Sequence, residues 1–89
     1  MKKIAYSSQF KKDYKRIQKR SYPIENLTHI ISLLANDAIL PVSCRPHKLR
    51  GNYENFWECH IGPNWLLIYE YNEHELLLRR TGTHSDLFQ

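Results

Sequence analysis

Phe56-Trp57-Glu58-Cys59-His60-Ile61-Gly62-Pro63-Asn64-Trp65-Leu66-Leu67-Ile68-Tyr69-Glu70-Tyr71 reads as two strands folded about a tight turn. Side chains alternate across a strand, so over residues 55–61 Trp57, Cys59 and Ile61 share one face, and Phe56, Glu58 and His60 share the other. We assign the first set to the face that packs on helices. Gly62-Pro63-Asn64 supplies the turn, and residues 65–71 the returning strand. Asn72-Glu73-His74 makes a second turn, leading into a strand over residues 75–80. The C-terminal half is therefore expected to be an antiparallel meander.

Upstream, residues 3–6 read as a short first strand, and Ser7 or Ser8 then offers a helix N-cap. Phe10, Tyr14 and Ile17 follow at i, i+4, i+7, one face of a helix ending near Arg20. A second helix is expected to start around Ser21 to Pro23, with Ser21 as its cap. Ile24, Leu27, Ile31 and Leu34 carry its apolar stripe, widened by Ile30, and Asn36 and Asp37 mark its end. The short connection predicts an antiparallel helix hairpin. Residues 37–52 read as a loop, because Pro41 and Pro46 forbid a continuing helix and Gly51 marks a turn. The expectation is one α+β domain over residues 1–89. Its order is β-α-α-β-β-β, with a small twisted antiparallel sheet and a two-helix hairpin packed on one face.

Eighty-nine residues with 42% hydrophobic content suffice for one modest core. The net charge is +4, and eight of the thirteen Lys and Arg lie in the first twenty residues with Asp13 the one acid among them. That segment favours a polyanionic or acidic partner, with Lys11, Lys12 and Lys15 in the frame. Two cysteines are too few for a disulfide framework. No apolar run reaches the ~18 residues of a membrane helix, and no signal peptide is visible. A cytoplasmic protein with free thiols and no membrane is expected.

Chemistry points to histidine, the side chain that titrates nearest neutral pH. His60 shares a strand face with Glu58, so a carboxylate stands ready to orient it. His84 follows Thr81-Gly82-Thr83, where Gly82 permits the bend that carries it back across the sheet. His47 lies among Arg45, Lys48 and Arg50, cations that suit a phosphate. Of Arg79 and Arg80, strict alternation allows only one on the site face. His29 lies off the apolar stripe and His74 in a turn, so neither is assigned. Trp65, Phe88, Tyr53 and Phe56 could stack on unpaired bases, and Trp65 could equally be core. No metal or other cofactor is expected: neighbouring Cys59 and His60 face opposite ways, and no paired Cys-x-x-Cys exists. Phosphate-binding glycine loops and nucleophile elbows are also absent from the sequence.

The frames Glu58-Cys59-His60-Ile61-Gly62-Pro63-Asn64-Trp65 and Arg80-Thr81-Gly82-Thr83-His84-Ser85-Asp86-Leu87-Phe88 resemble the YafQ branch of the RelE/ParE superfamily. Those proteins are toxins of bacterial type II toxin–antitoxin pairs and ribosome-dependent mRNA endonucleases. The resemblance covers nearly the whole chain and implies the RelE-like fold. It implies metal-independent cleavage of mRNA in the ribosomal A site, by attack of the 2′-hydroxyl on the adjacent phosphate. Carried over position by position, it points to His47, His60 and His84 for acid–base work and to Arg80 for the developing charge. Trp65 and Phe88 match family aromatics. Ribosomal RNA, including 16S RNA, and a ribbon-helix-helix antitoxin of the DinJ kind are the implied partners. One departure stands at Asn64, where the family usually has aspartate. Asparagine hydrogen-bonds but cannot exchange a proton or carry charge, so weaker activity or a shifted pH optimum is expected. Two alternatives stay open: a ParE-like toxin acting on DNA gyrase without nuclease chemistry, and an RNA- or antitoxin-binding module whose catalysis has weakened.

Overall fold

The structure, a computed structural model, describes residues 1–51 and 55–88. Its elements run β1 (Lys3–Tyr6), α1 (Ser8–Lys19), α2 (Ile24–Ala35), a 3-10 turn (Val42–Cys44), β2 (His47–Lys48), β3 (Trp57–Gly62), β4 (Trp65–Tyr71), β5 (Glu75–Gly82) and α3 (His84–Phe88). The sheet order is β1-β5-β4-β3-β2. β3, β4 and β5 form the expected antiparallel meander. β1 pairs parallel with β5, so the sheet is mixed rather than antiparallel. Parallel pairing follows because α1 and α2 carry the chain across before β3 begins, a crossover that two strands joined by a tight turn cannot make.

The helix hairpin covers one face of the sheet. Phe10, Ile17, Leu27, Ile30 and Ala35 of the helices meet Cys59, Trp65, Leu67, Tyr69, Leu76 and Leu78 of the strands. Ser7 caps α1, its Oγ accepting from the Phe10 amide at 2.9 Å while donating to the Arg79 carbonyl at 2.7 Å. Ser21 does not cap α2. It adopts φ +60° and closes α1 instead, with the Tyr22 amide donating back to the Ile17 carbonyl at 3.1 Å. α2 then starts after Pro23 without a side-chain cap.

Two elements lie where the sequence reading had loop or tail. Residues 47–48 form an edge strand on β3, pairing His47 with Glu58 and Lys48 with Trp57. After Gly82 the chain forms α3, which seals the sheet face opposite the hairpin. Leu87 packs there with Leu66 and Ile68, flanked by Leu49 and Phe56. None of the helices among the described residues is long and apolar enough to cross a membrane.

Candidate active site

Strand register arranges the chemistry on the face opposite the hairpin. Across the sheet, His47 pairs with Glu58, Glu58 with Ile68, and Ile68 with Arg80. Two residues further along, His60 pairs with Leu66 and Leu66 with Gly82. Side chains two apart on a strand share a face, and strands lie ~4.8 Å apart. Two adjacent rows, about 7 Å apart, therefore hold His47, Glu58, Arg80 and His60. Gly82, at the end of the second row, leads directly into His84.

Glu58 is buried, and its Oε1 lies 3.3 Å from His47 Nε2. The sequence reading had assigned this carboxylate to His60. Because β2 exists, its partner is the residue directly across the ladder. His47 Nδ1–H donates to the Arg45 carbonyl at 3.0 Å, so both ring nitrogens face oxygen acceptors. Arg45 sits at φ +42°, a left-handed turn that aims its carbonyl back at the ring. His60 is half-buried and His84 exposed. No described residue hydrogen-bonds their ring nitrogens. Phe88 lies 6.0 Å from His84, centroid to centroid, and stays 42% exposed, while Leu87 packs into the sheet.

A β-bulge directs both arginines outward, where strict alternation allows only one. Tyr69 pairs with Leu78 but Ile68 pairs with Arg80, leaving Arg79 as an extra residue. Arg79 stays on the outer face, its guanidinium 4.9 Å from the Phe56 ring centre and 3.6 Å from Glu70. Arg80, opposite Ile68, turns over the open edge of β5 to Asp13 of α1, donating at 2.7 and 3.2 Å. Asp13 is fully buried and also accepts from the Thr81 amide at 3.2 Å. This carboxylate thus satisfies an edge amide that β1, already ended, cannot reach.

α3 is held at its start. The Asp86 carboxylate accepts from the Thr83 amide at 2.9 Å, and Thr83 Oγ1 accepts from the Asp86 amide at 3.1 Å, a reciprocal capping box. Arg20 donates to both oxygens of Asp86, at 2.7 and 3.1 Å. That fork, reinforced by Thr83, holds the Asp86 carboxyl well below the usual carboxylate range, and Asp86 and then Tyr22 raise the Arg20 guanidinium in turn. Gly82, at φ +153°, is fitted to this turn: a Cβ there would lie 2.9 Å from Asp86 Oδ2. The predicted bend at Gly82 is present.

Several residues read as RNA contacts sit elsewhere. Trp65 is in the hairpin-side core, 5% exposed, edge-on to Tyr22 and donating from Nε1 to Thr81 Oγ1 at 2.9 Å. Its strand parity sends it inward, so it offers no ring face to a base. Lys48 stands over Trp57, on the hairpin side, because the neighbour of His47 must face the opposite way. Asn64 is exposed in the β3–β4 turn and Arg50 is exposed after β2. Lys11, Lys12 and Lys15 are exposed on α1, on the far side of the sheet from the histidines. Lys2, Arg16 and Arg20 are committed to Asp37, Asp13 and Asp86, so less of the basic N-terminus is available to a partner than its count suggested. Tyr53 lies outside the described residues. Among these, no group of three His, Cys, Asp or Glu is gathered as a metal site.

Sequence reasoning missed Asp13, Asp86 and Thr83. A lone acid on the apolar stripe of a basic helix, three residues from Phe10 and four from Ile17, was the readable sign of a buried partner. Thr83-x-x-Asp86 was the readable capping box.

Comparison with known proteins agrees with this fold. Residues 2–89 match the family described as the bacterial toxin of type II toxin–antitoxin system, YafQ. The chain is 38% identical over 86 residues to the mRNA interferase toxin YafQ of Escherichia coli K12, covering 96% of this chain and 94% of that protein. It superposes on the crystal structure of YafQ from E. coli BL21(DE3) with a TM-score of 0.93, at 36% identity and full coverage of both chains. Against the toxin in the E. coli DinJ–YafQ toxin–antitoxin complex the TM-score is 0.91, at 37% identity, covering 99% of this chain and 98% of that one.

Proposed function

The chain belongs to the YafQ family of bacterial type II toxin–antitoxin toxins, and on that premise we propose that it is a ribosome-dependent mRNA interferase working by metal-independent acid–base chemistry. The observation that carries the mechanism is the register of the outer face, with His47, Glu58 and Arg80 in one row and His60 beside them in the next. The message lies across these rows in the ribosomal A site.

His60 and His84 form the proton-transfer pair, since no described residue takes up their ring nitrogens. One removes the 2′-hydroxyl proton, the oxygen attacks the adjacent phosphorus, and the other protonates the departing 5′-oxygen. The products are a 2′,3′-cyclic phosphate and a 5′-hydroxyl. His47, held between Arg45 and Glu58, steadies the phosphate side rather than shuttling a proton. Arg80 adds positive charge beside the phosphorane, its direction fixed by Asp13. Phe88 flanks His84 and stacks on a base. Positioned acid–base groups contribute roughly 10²–10⁴-fold each.

The exposed lysines of α1 bind ribosomal RNA, on the surface away from the cleaved strand. A ribbon-helix-helix antitoxin of the DinJ kind silences the toxin, as the complex of the E. coli relative suggests. The domain spans residues 1–89 and acts in the cytoplasm.

The test is the chemistry of the ends. Cleavage on programmed ribosomes, with a chelator that takes transition metals but spares ribosomal magnesium, is expected to give 2′,3′-cyclic phosphate and 5′-hydroxyl termini. A 5′-phosphate product, or loss of cleavage on chelation with ribosomes intact, would overturn the metal-free mechanism.

A further inference from the structure

The outer face carries a third row. Two residues along β4 from Ile68 stands Glu70, and two residues before Glu58 stands Phe56. Arg79 joins them by parity, two residues after Leu77, which pairs with Glu70. Its guanidinium lies 4.9 Å from the Phe56 ring centre and 3.6 Å from Glu70 Oε2, with 40% of the side chain exposed. Phe56 is itself backed by the Leu66, Ile68 and Leu87 cluster. The result is a flat cation seated on an aromatic ring, held from the side by a carboxylate and open to solvent. It lies about 7 Å from the row of Glu58 and Arg80.

We propose that Arg79, carried on Phe56, is a nucleotide subsite: an unpaired base flanking the scissile phosphate stacks on the guanidinium. The inference rests on the RNA-cleaving reading above and adds to it a residue that touches substrate without taking part in proton transfer. Guanidinium planes stack on bases as aromatic rings do, and a ring beneath adds cation–π attraction. Glu70 keeps the plane from swinging toward a phosphate, so the subsite reads a base rather than the backbone. Arg80, drawn over the sheet edge to Asp13, does not duplicate it.

The experiment is a double-substitution cycle on programmed ribosomes. The message carries a 2′-deoxy sugar at the scissile position for binding, or the natural sugar for single-turnover cleavage. An abasic ribose is walked through the flanking positions and tested against the parent chain, Arg79→Ala and Arg79→Lys. At one flanking position the abasic ribose is expected to weaken binding of the parent by about tenfold. Arg79→Ala is expected to cost a similar factor and to make the abasic ribose neutral there. Arg79→Lys keeps the charge but not the plane, and is expected to behave as Arg79→Ala at that position. Phe56→Leu keeps the outer cluster filled, and is expected to lower the same coupling without lowering the melting temperature much. A parent that cuts while Arg79→Ala and the abasic ribose act additively at every position overturns the subsite alone. A parent that neither binds nor cuts overturns the subsite together with the interferase reading.

Discussion

Asp13→Asn isolates the charge of the buried pair that joins α1 to the site face. Asparagine has nearly the volume of aspartate and keeps an oxygen for the Thr81 amide, now 3.2 Å away. It loses the charge that meets Arg80 at 2.7 and 3.2 Å, and its NH₂ group faces a guanidinium that has nothing to accept with. Breaking a buried pair from one side costs about 3–5 kcal/mol. The Arg80 side chain keeps 21% exposure and can turn partly to water, which lowers the expected cost to about 2–3 kcal/mol. A domain this size has a total stability of roughly 4–13 kcal/mol, and each kcal/mol moves Tm by about 4–8 °C. The expected fall in Tm is therefore about 10–20 °C. Urea unfolding followed by tryptophan fluorescence measures it, with an unchanged slope showing that stability alone has moved. Adding Arg80→Met should recover part of the loss, because the asparagine NH₂ then no longer faces an uncompensated guanidinium. A loss for Asp13→Asn under ~0.5 kcal/mol, or additive losses in the double variant, would refute the reasoning.

Gly82→Ala puts a Cβ 2.9 Å from Asp86 Oδ2 at a φ of +153°, so it should displace α3, destabilise by about 1–3 kcal/mol and slow cleavage more than it weakens the fold; Tm and single-turnover rates measured side by side test this. Asp86 has a depressed carboxyl, so its contribution is fully present above the ordinary carboxylate pKa of ~3.9 and is lost as pH falls below it. Urea midpoints between pH 5 and 2.5 should accordingly fall more steeply for the parent than for Asp86→Asn; parallel curves would count against the clamp. Burial pushes the Cys59 thiol up to about 12, with smaller contributions from Cys44 and Glu58, so it should react with a disulfide reagent at neutral pH only as fast as the chain unfolds. Rapid labelling of the native protein would contradict that burial.

Much of the frame was legible because period and punctuation agreed. Phe10, Tyr14 and Ile17 gave α1 its face, Ser7 its start, and alternation correctly sent Glu58 and His60 outward and Cys59 inward. What escaped depends on partners distant in sequence. β2 is two residues long and exists because His47 and Lys48 meet β3; nothing local separates it from loop. Alternation failed at Arg80, since a bulge is a property of the β4–β5 pair and leaves no local mark. Trp65 shows the limit of assigning by residue type: an aromatic after a turn suits base stacking, but parity placed it beneath Tyr22. The partner of Glu58 was not readable, because that depended on β2.

Single-turnover cleavage of mRNA on programmed ribosomes by His60→Ala, His84→Ala and His29→Ala tests the central claim most directly. His60 and His84 are expected to be worth roughly 10²-fold or more each, with melting temperatures near parental and ribosome binding retained. His29, exposed on α2 on the other side of the sheet, is expected to be silent. Near-parental cleavage by His84→Ala or by His60→Ala, with the variant folded and bound, would contradict the account.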